Sequence, residues 1–416
     1  MCPLTRQETL AVLAAMGIEL PPATKLPDDA LQKRLQQALN GAQSASRVLK
    51  ATSLDPATLL QWPDSRAHES MGRNNLLQAY QHSQGMAVPL YENPIHDARQ
   101  TVMALAKAWD DGFKWVLIQD HAHDFAICVR VITVLKADEE TPAIVLLYRS
   151  DTRATRLRGA QWAQHMQRKY GPPQGGLNIH ATPLEQKLLL KLLAMNGKAL
   201  SPAYTPEKDA IERTFRTSFL LPLGPLSYAD IGKLNNDPGC VLCGQKAPVR
   251  CKQCMSVAYC GAECQRADWS DHKRVCRSLK DGTWRTLRFV SVLPGMEGMY
   301  AARINRFSSA HDIRSAPRRL DPDSIPANIH GERLFLVKIT LRRKTQDSFS
   351  IYDRRDSIEV HFIQSEDPAL FEEMRREMQG PRGNHGGAKM YRWAKRISDW
   401  ELSICVDKEP QTDVKW

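Results

Sequence analysis

Seven of the ten cysteines in this 416-residue chain lie between Cys240 and Cys276. With His272 they form four pairs: Cys240-x2-Cys243, Cys251-x2-Cys254, Cys260-x3-Cys264 and His272-x3-Cys276. A two-residue gap suits a tight knuckle whose two thiolates reach one ion. A three-residue gap sets both groups on one face of a helix, one turn apart. The eight donors fill two tetrahedral sites with none left over, and thiolates joined by one imidazole select zinc over magnesium or calcium. Both sites are closed, with no coordination position for a reactive water, so the two ions are structural. Zinc contributes roughly 10–16 kcal/mol to small fingers, and a segment this short has too little apolar surface to fold without such a staple. Spacing alone leaves two pairings open, one sequential and one interleaved.

Other residues in the cluster carry a resemblance. Ala258-Tyr259-Cys260, Cys264-Gln265 and Asp268-Trp269, together with the ligand spacing, make the segment similar to the MYND zinc-finger family. The resemblance implies a cross-braced topology. Cys240, Cys243, Cys260 and Cys264 would hold one zinc, and Cys251, Cys254, His272 and Cys276 the other. It also implies a protein-interaction module that grasps short, extended, proline-containing peptides. Strand addition along the edge from Ser256 to Tyr259 would supply the backbone contacts, and Gln265 and Trp269, four apart on one helix face, the side-chain ones. The plainer role for Trp269 is to fill the small core of the finger, and the two roles are compatible. Beyond the finger, Arg303-Ile304-Asn305-Arg306-Phe307 and Lys389-Met390-Tyr391-Arg392-Trp393 make the C-terminal part similar to that of uncharacterised fungal MYND-containing proteins.

Catalytic motifs are absent from the rest of the chain. Lysine methyltransferases with an inserted finger carry Asn-His-Ser-Cys and Gly-Glu-Glu segments; neither occurs, and Asn384-His385-Gly386-Gly387 reads as a glycine-rich turn. His121-Ala122-His123-Asp124 lacks the spacing of an iron- and 2-oxoglutarate-dependent hydroxylase and reads as a polar loop rather than a metal site. No phosphate-cradling glycine motif or nucleophile elbow is present. Cys128 and Cys405 sit in apolar strand patterns as small core residues, and Cys2 is uninformative.

The elements that must position the cluster read as follows. Thr5-Arg6-Gln7-Glu8 is a capping box, and Gly17 stands where a helix ends. A second helix follows Pro27-Asp28, with Leu31, Leu35 and Leu39 on one face. Next comes a helix from about Pro94 to Asp110, then strand-like runs at Phe113–Ile118, Phe125–Leu135 and Ala143–Tyr148. Thr182-Pro183-Leu184-Glu185 caps a further helix, and Thr205-Pro206-Glu207 repeats the device. After the turn-rich break Asn235–Gly239 and the cluster, alternation returns at Phe335–Leu341, Ile358–Phe362 and Trp400–Val406, with a helix at about Asp367 to Met378. The reading is an α+β multidomain chain: a helical segment 1–62, an α+β domain 63–227, the finger 236–280 and a β-rich α+β domain 283–416.

Charge and composition bound the function. The formal net charge is +11, but basic residues interleave with acidic ones and runs such as Arg342-Arg343-Lys344 are short. That pattern describes a solvated surface and makes a nucleic-acid-binding regulator the weakest alternative. Seven thiolates, two zinc ions, and the eight basic and four acidic side chains of 236–280 leave the loaded finger near +1, too little to draw anions strongly. No apolar run reaches membrane-spanning length, and the N-terminus lacks a secretory pattern, which points to the reducing interior, nuclear or cytoplasmic. The expected protein is an intracellular adaptor recruiting a protein partner. The alternative from another class is an enzyme whose catalytic domain flanks the finger.

Overall fold

A computed structural model describes residues 3–20, 24–49, 53–63, 66–73, 78, 81, 83–85, 90–152, 154–170, 177–235, 239–247, 249–301, 318–342, 346–355, 357–383 and 385–410. Of the positions singled out above, Cys2, 236–238, 303–307, 343–344 and Asn384 lie outside them. Packing divides the chain into two units. The first contains Met1–Glu19 and Asp28–Ser227, the second Leu20–Pro27, Tyr228–Arg303 and Ser315–Trp416.

In the first unit, helix Arg6–Ala15 starts at Thr5, whose hydroxyl accepts from Glu8 N while the Glu8 carboxylate accepts from Thr5 N. Gly17 then takes φ +83° to end it. Helix Asp28–Ala42 buries Leu31, Leu35 and Leu39 as its spacing predicts. Five strands follow: β1 (Trp115–Gln119), β2 (Phe125–Asp138), β3 (Thr141–Thr152), β4 (Leu177–His180) and β5 (Arg216–Leu220). They form one sheet in the order β4-β1-β2-β3-β5, antiparallel except for the β1–β4 pair. Helix Arg156–Tyr170 packs Trp162, Ala163 and Met166 against Trp115, Leu117, Cys128 and Leu147. Gly159 allows that approach, since a Cβ there would lie 3.0 Å from Cys128 Sγ. Helices Pro94–Asp110 and Pro183–Gly197 complete this α+β unit.

One expected helix does not form. Thr205-Pro206-Glu207 starts nothing; a single 3-10 turn, Ala210–Glu212, appears instead. Asp209 competes as the cap, accepting from Ile211 N, and the Glu212 side chain is drawn inward to Arg130, 2.6 Å away. Without an apolar stripe to bury, one turn is all that this stretch holds.

The second unit carries the finger and a curled sheet. Strands β6 (Val249–Arg250) and β7 (Ala258–Tyr259) form the finger's hairpin, followed by helix Ala262–Val275. Then come β8 (Trp284–Arg288), β9 (Tyr300–Ala301), β10 (Arg318–Arg319), β11 (Phe335–Leu341), β12 (Ser348–Asp353), β13 (Glu359–Ile363), β14 (Lys389–Ser398) and β15 (Glu401–Cys405). Six of these pair antiparallel in the order β13-β12-β11-β14-β15-β8. Just past β8, Val290 N donates to His361 O at 2.9 Å and Val290 O accepts from His361 N at 2.8 Å, so the two edge strands meet and the sheet closes on itself.

Inside the curl lies helix Pro368–Gln379, capped by Asp367. Its Leu370, Phe371, Met374 and Met378 enter a core with Val337, Ile339, Phe349, Val360 and Phe362. Each such buried side chain contributes roughly 1.5–3 kcal/mol. No helix among the described residues is long and apolar enough to cross a membrane.

Candidate metal centre

The finger's ligands come from two knuckles and one helix. In the first knuckle, Gly244 N donates to Cys240 O (2.8 Å); in the second, Met255 N donates to Cys251 O (2.9 Å). In each, the residue after the second cysteine turns left-handed: Gly244 at φ +76° and Met255 at φ +56°. The helix supplies Cys264 in its first turn and His272 in its last, with Cys276 at its end. Eight residues at 1.5 Å rise separate Cys264 from His272 by about 12 Å, so one rigid rod spaces the two sites.

The folded chain brings Cys240, Cys243, Cys260 and Cys264 together, and separately Cys251, Cys254, His272 and Cys276, with the donor atoms of each set within 4.8 Å of one another. The finger is therefore cross-braced. A tetrahedral zinc with thiolates at 2.3 Å needs donor–donor edges of about 3.8 Å. Cys243 and Cys260 sulfurs stand 3.5 Å apart, as do those of Cys260 and Cys264, and Cys254 Sγ lies 3.6 Å from His272 Nε2. Both sets fit zinc in donor chemistry and in size. Among the described residues, no other group of three or more His, Cys, Asp or Glu side chains converges in this way.

Electrostatics in the first set favour a dication. Burial alone would raise the Cys240 thiol, but backbone N–H groups of Cys243, Cys260 and Leu242 aim at its sulfur and bring it down to about 6. Its neighbours cannot all follow: hydrogen bonding with Cys260 and Cys243 pushes Cys264 up to about 12. In the second set, burial and the charges of Cys254 and Cys251 push Cys276 up to about 12. A central divalent ion converts this mutual repulsion into coordination.

The finger's small core explains its other characteristic residues. Tyr259 is fully buried and its hydroxyl donates to Asp268 Oδ2 at 2.7 Å; burial and that carboxylate raise its pKa. Trp269 is half-buried with its ring 6.0 Å from that of His272, and Gln265 is half-buried one turn earlier. Ser256 Oγ donates back to Cys254 O at 3.1 Å. Val257 O accepts Cys251 N at 2.8 Å within the hairpin, and on the other side of β7 Ala258 O accepts Val241 N at 3.0 Å.

Elsewhere, polar groupings have structural explanations. His121 stacks on His180 at 3.6 Å between centroids, and His123 sits exposed in a turn at φ +54°. His330, Asp353 and Ser357 look like a triad, but Asp353 Oδ2 (2.8 Å) and Ser357 Oγ (3.3 Å) both address His330 Nε2, whereas a relay needs the carboxylate on the other nitrogen. Asp353 also accepts Ser357 N at 2.7 Å, so it closes the β12–β13 turn. In the first unit, Gln78 gives its oxygen to Arg99 at 2.7 Å and turns its amide nitrogen to His96 Nδ1 at 3.3 Å. The adjoining cavity, about 30 Å³, has room for water and not for a substrate. Cys128 and Cys405 are buried as expected; burial and Asp407 push Cys405 up to about 11.

Comparison with known proteins agrees with this geometry. Residues 240–276 match the MYND finger family. The mouse Tudor domain-containing protein 1 is 33% identical over 76 residues, 18% of this chain and 6% of that protein. The human histone-lysine N-methyltransferase SMYD3 is 41% identical over 58 residues, 14% of this chain and 13% of its own length. The chain thus spans only a small part of either relative. No solved structure matches it.

Proposed function

We propose that this chain is an adaptor whose zinc-loaded finger captures a short, extended, proline-containing segment of a protein partner. One observation carries the reading. Trp269, the large apolar side chain of the finger helix, is only half-buried, and Gln265 lies beside it on the same face. A tryptophan needed solely for packing would be enclosed as Tyr259 is; a half-exposed indole with an amide neighbour is a recognition pair. Because Ala258 already spends its carbonyl on Val241 N, the peptide is gripped chiefly by this helix face, with Ser256 at its margin. The C-terminal sheet of the same unit acts as a support that holds the face toward the partner.

The test uses the full chain and an immobilised array of proline-containing decapeptides. Wild type retains a subset; Trp269→Ala loses it while keeping two zinc ions. Retention of the same subset by that variant would refute the recognition pair.

A further inference from the structure

The two metal sites share a helix but not an environment. In the first, Cys243 is exposed and Cys260 and Cys264 are half-buried; in the second, Cys251, Cys254 and His272 are buried and only Cys276 is half-buried. A chelator must reach a ligand position to remove an ion, so access already separates them.

Attachment separates them further. Met255, directly after Cys254, and Leu279, three residues past Cys276, enter an apolar cluster with Trp393 of β14 and Cys405 of β15, bordered by Trp284, Leu334 and Leu336. Leu279 N donates to Gln253 O at 2.8 Å, tying the exit chain back to the second knuckle. Arg277, next to Cys276, pairs with Glu409 and donates to Pro410 O at 3.2 Å. Thr283 donates twice to Asp407, at 2.7 Å from N and 3.1 Å from its hydroxyl. Gly282 lies so close to Cys405 that a Cβ would stand 2.5 Å from its sulfur. The backbone that carries Cys254 and Cys276 is thereby anchored to the sheet through Met255, Arg277 and Leu279. Among the described residues, the first knuckle meets a different segment. Its neighbours are Leu26, whose side chain would stand 2.6 Å from a Cβ on Gly239, and the Lys25 carbonyl, 1.6 Å from a Cβ on Gly244 next to Cys243; neither belongs to the C-terminal sheet.

We propose that the two zinc sites are functionally unequal: the ion held by Cys240, Cys243, Cys260 and Cys264 is exchangeable, whereas the ion held by Cys251, Cys254, His272 and Cys276 is an integral part of the C-terminal sheet. Removing the second opens β8, β14 and β15; removing the first does not. The finger thus gains or loses half of its metal with local zinc supply while its support stays folded. This inference rests on metal binding and not on peptide capture, so the decapeptide array can fail without touching it.

The experiment is zinc release from the loaded full chain into excess 4-(2-pyridylazo)resorcinol, with hydrogen exchange followed in parallel by mass spectrometry. One equivalent leaves quickly and the other at least about ten-fold more slowly, because its departure requires local opening of packed structure. Amides of β8, β14 and β15 keep their protection through the fast phase and lose it with the slow one. Cys243→Ser lacks the fast equivalent and retains the slow one, and Met255→Ala accelerates only the slow phase. A single phase for both ions, loss of the slow equivalent in Cys243→Ser, or sheet protection that falls with the first ion or outlasts both would overturn the proposal.

Discussion

The two knuckles of the finger follow one plan and face different surroundings. Each has cysteines with two residues between them, an N–H returning to the first cysteine's carbonyl and a left-handed residue next in line. Where that residue is Gly244, no side chain is needed, and the backbone of Lys25 approaches to within 1.6 Å of where a Cβ would be. Where it is Met255, the left-handed turn costs about 1–2 kcal/mol, and the side chain offsets this by packing beside Trp393 and Leu279. Ligand spacing sets the local chelate, and the residue just after it decides what the chelate is attached to.

The largest expected effect comes from the attached side. Cys276→Ser removes a ligand from the second set and should unfold the C-terminal sheet along with the finger, seen as loss of amide protection across β14 and β15; an intact sheet would break the comparison. Gly244→Ala should lower stability by roughly 2–4 kcal/mol, combining left-handed strain with displacement of Lys25, as denaturant melts would show. A result below about 0.5 kcal/mol would mean that the close approach is not maintained in solution.

The first unit provides a metal-independent control. Burial, then the charge of Arg99, lower His96 to about 4 from an ordinary 6.5, and the Gln78 amide donates to its free nitrogen. Its folded pKa is depressed, so its neutral form stabilises the fold fully above pH 6.5. That contribution, at most about 3 kcal/mol, fades as pH falls from 6.5 toward 4. His96→Gln should flatten this acid limb in melts of zinc-loaded protein; an unchanged limb would place the acid sensitivity elsewhere. Smaller still, Met255→Ala should cost about 1–2 kcal/mol, since the side chain is only half-buried. A neutral outcome would detach the finger from the sheet.

Much of this organisation was legible in the sequence, because chelation is encoded in spacing and helix starts in their caps. Thr5 and Thr182 cap the helices their motifs announce. Strand β14 was hidden for a physical reason. On its inward face Met390 and Ala394 alternate with Arg392 and Arg396, which breaks the apolar pattern. Arg392 is nonetheless fully buried, spending its guanidinium on the carbonyls of Val406 (2.7 Å), Tyr391 (2.9 Å) and Arg382 (3.2 Å), while burial lowers its pKa. Arg396 likewise serves the carbonyls of Ser398, Asp399 and Pro326 and lies 5.0 Å over the Phe289 ring. Closure of the sheet through Val290 and His361 joins residues 71 apart in sequence, and no local pattern announces it. The attachment of the second knuckle was equally silent, since Met255 and Leu279 carry no motif.

Native mass spectrometry of the full chain and of Cys243→Ser/Cys260→Ser tests cross-bracing directly. Interleaved pairing places both substituted donors in one set, so wild type should carry two zinc ions and the double variant one. Sequential pairing would split the damage between both sites. A double variant with no bound zinc, beside a folded wild type with two, would contradict the architecture described above.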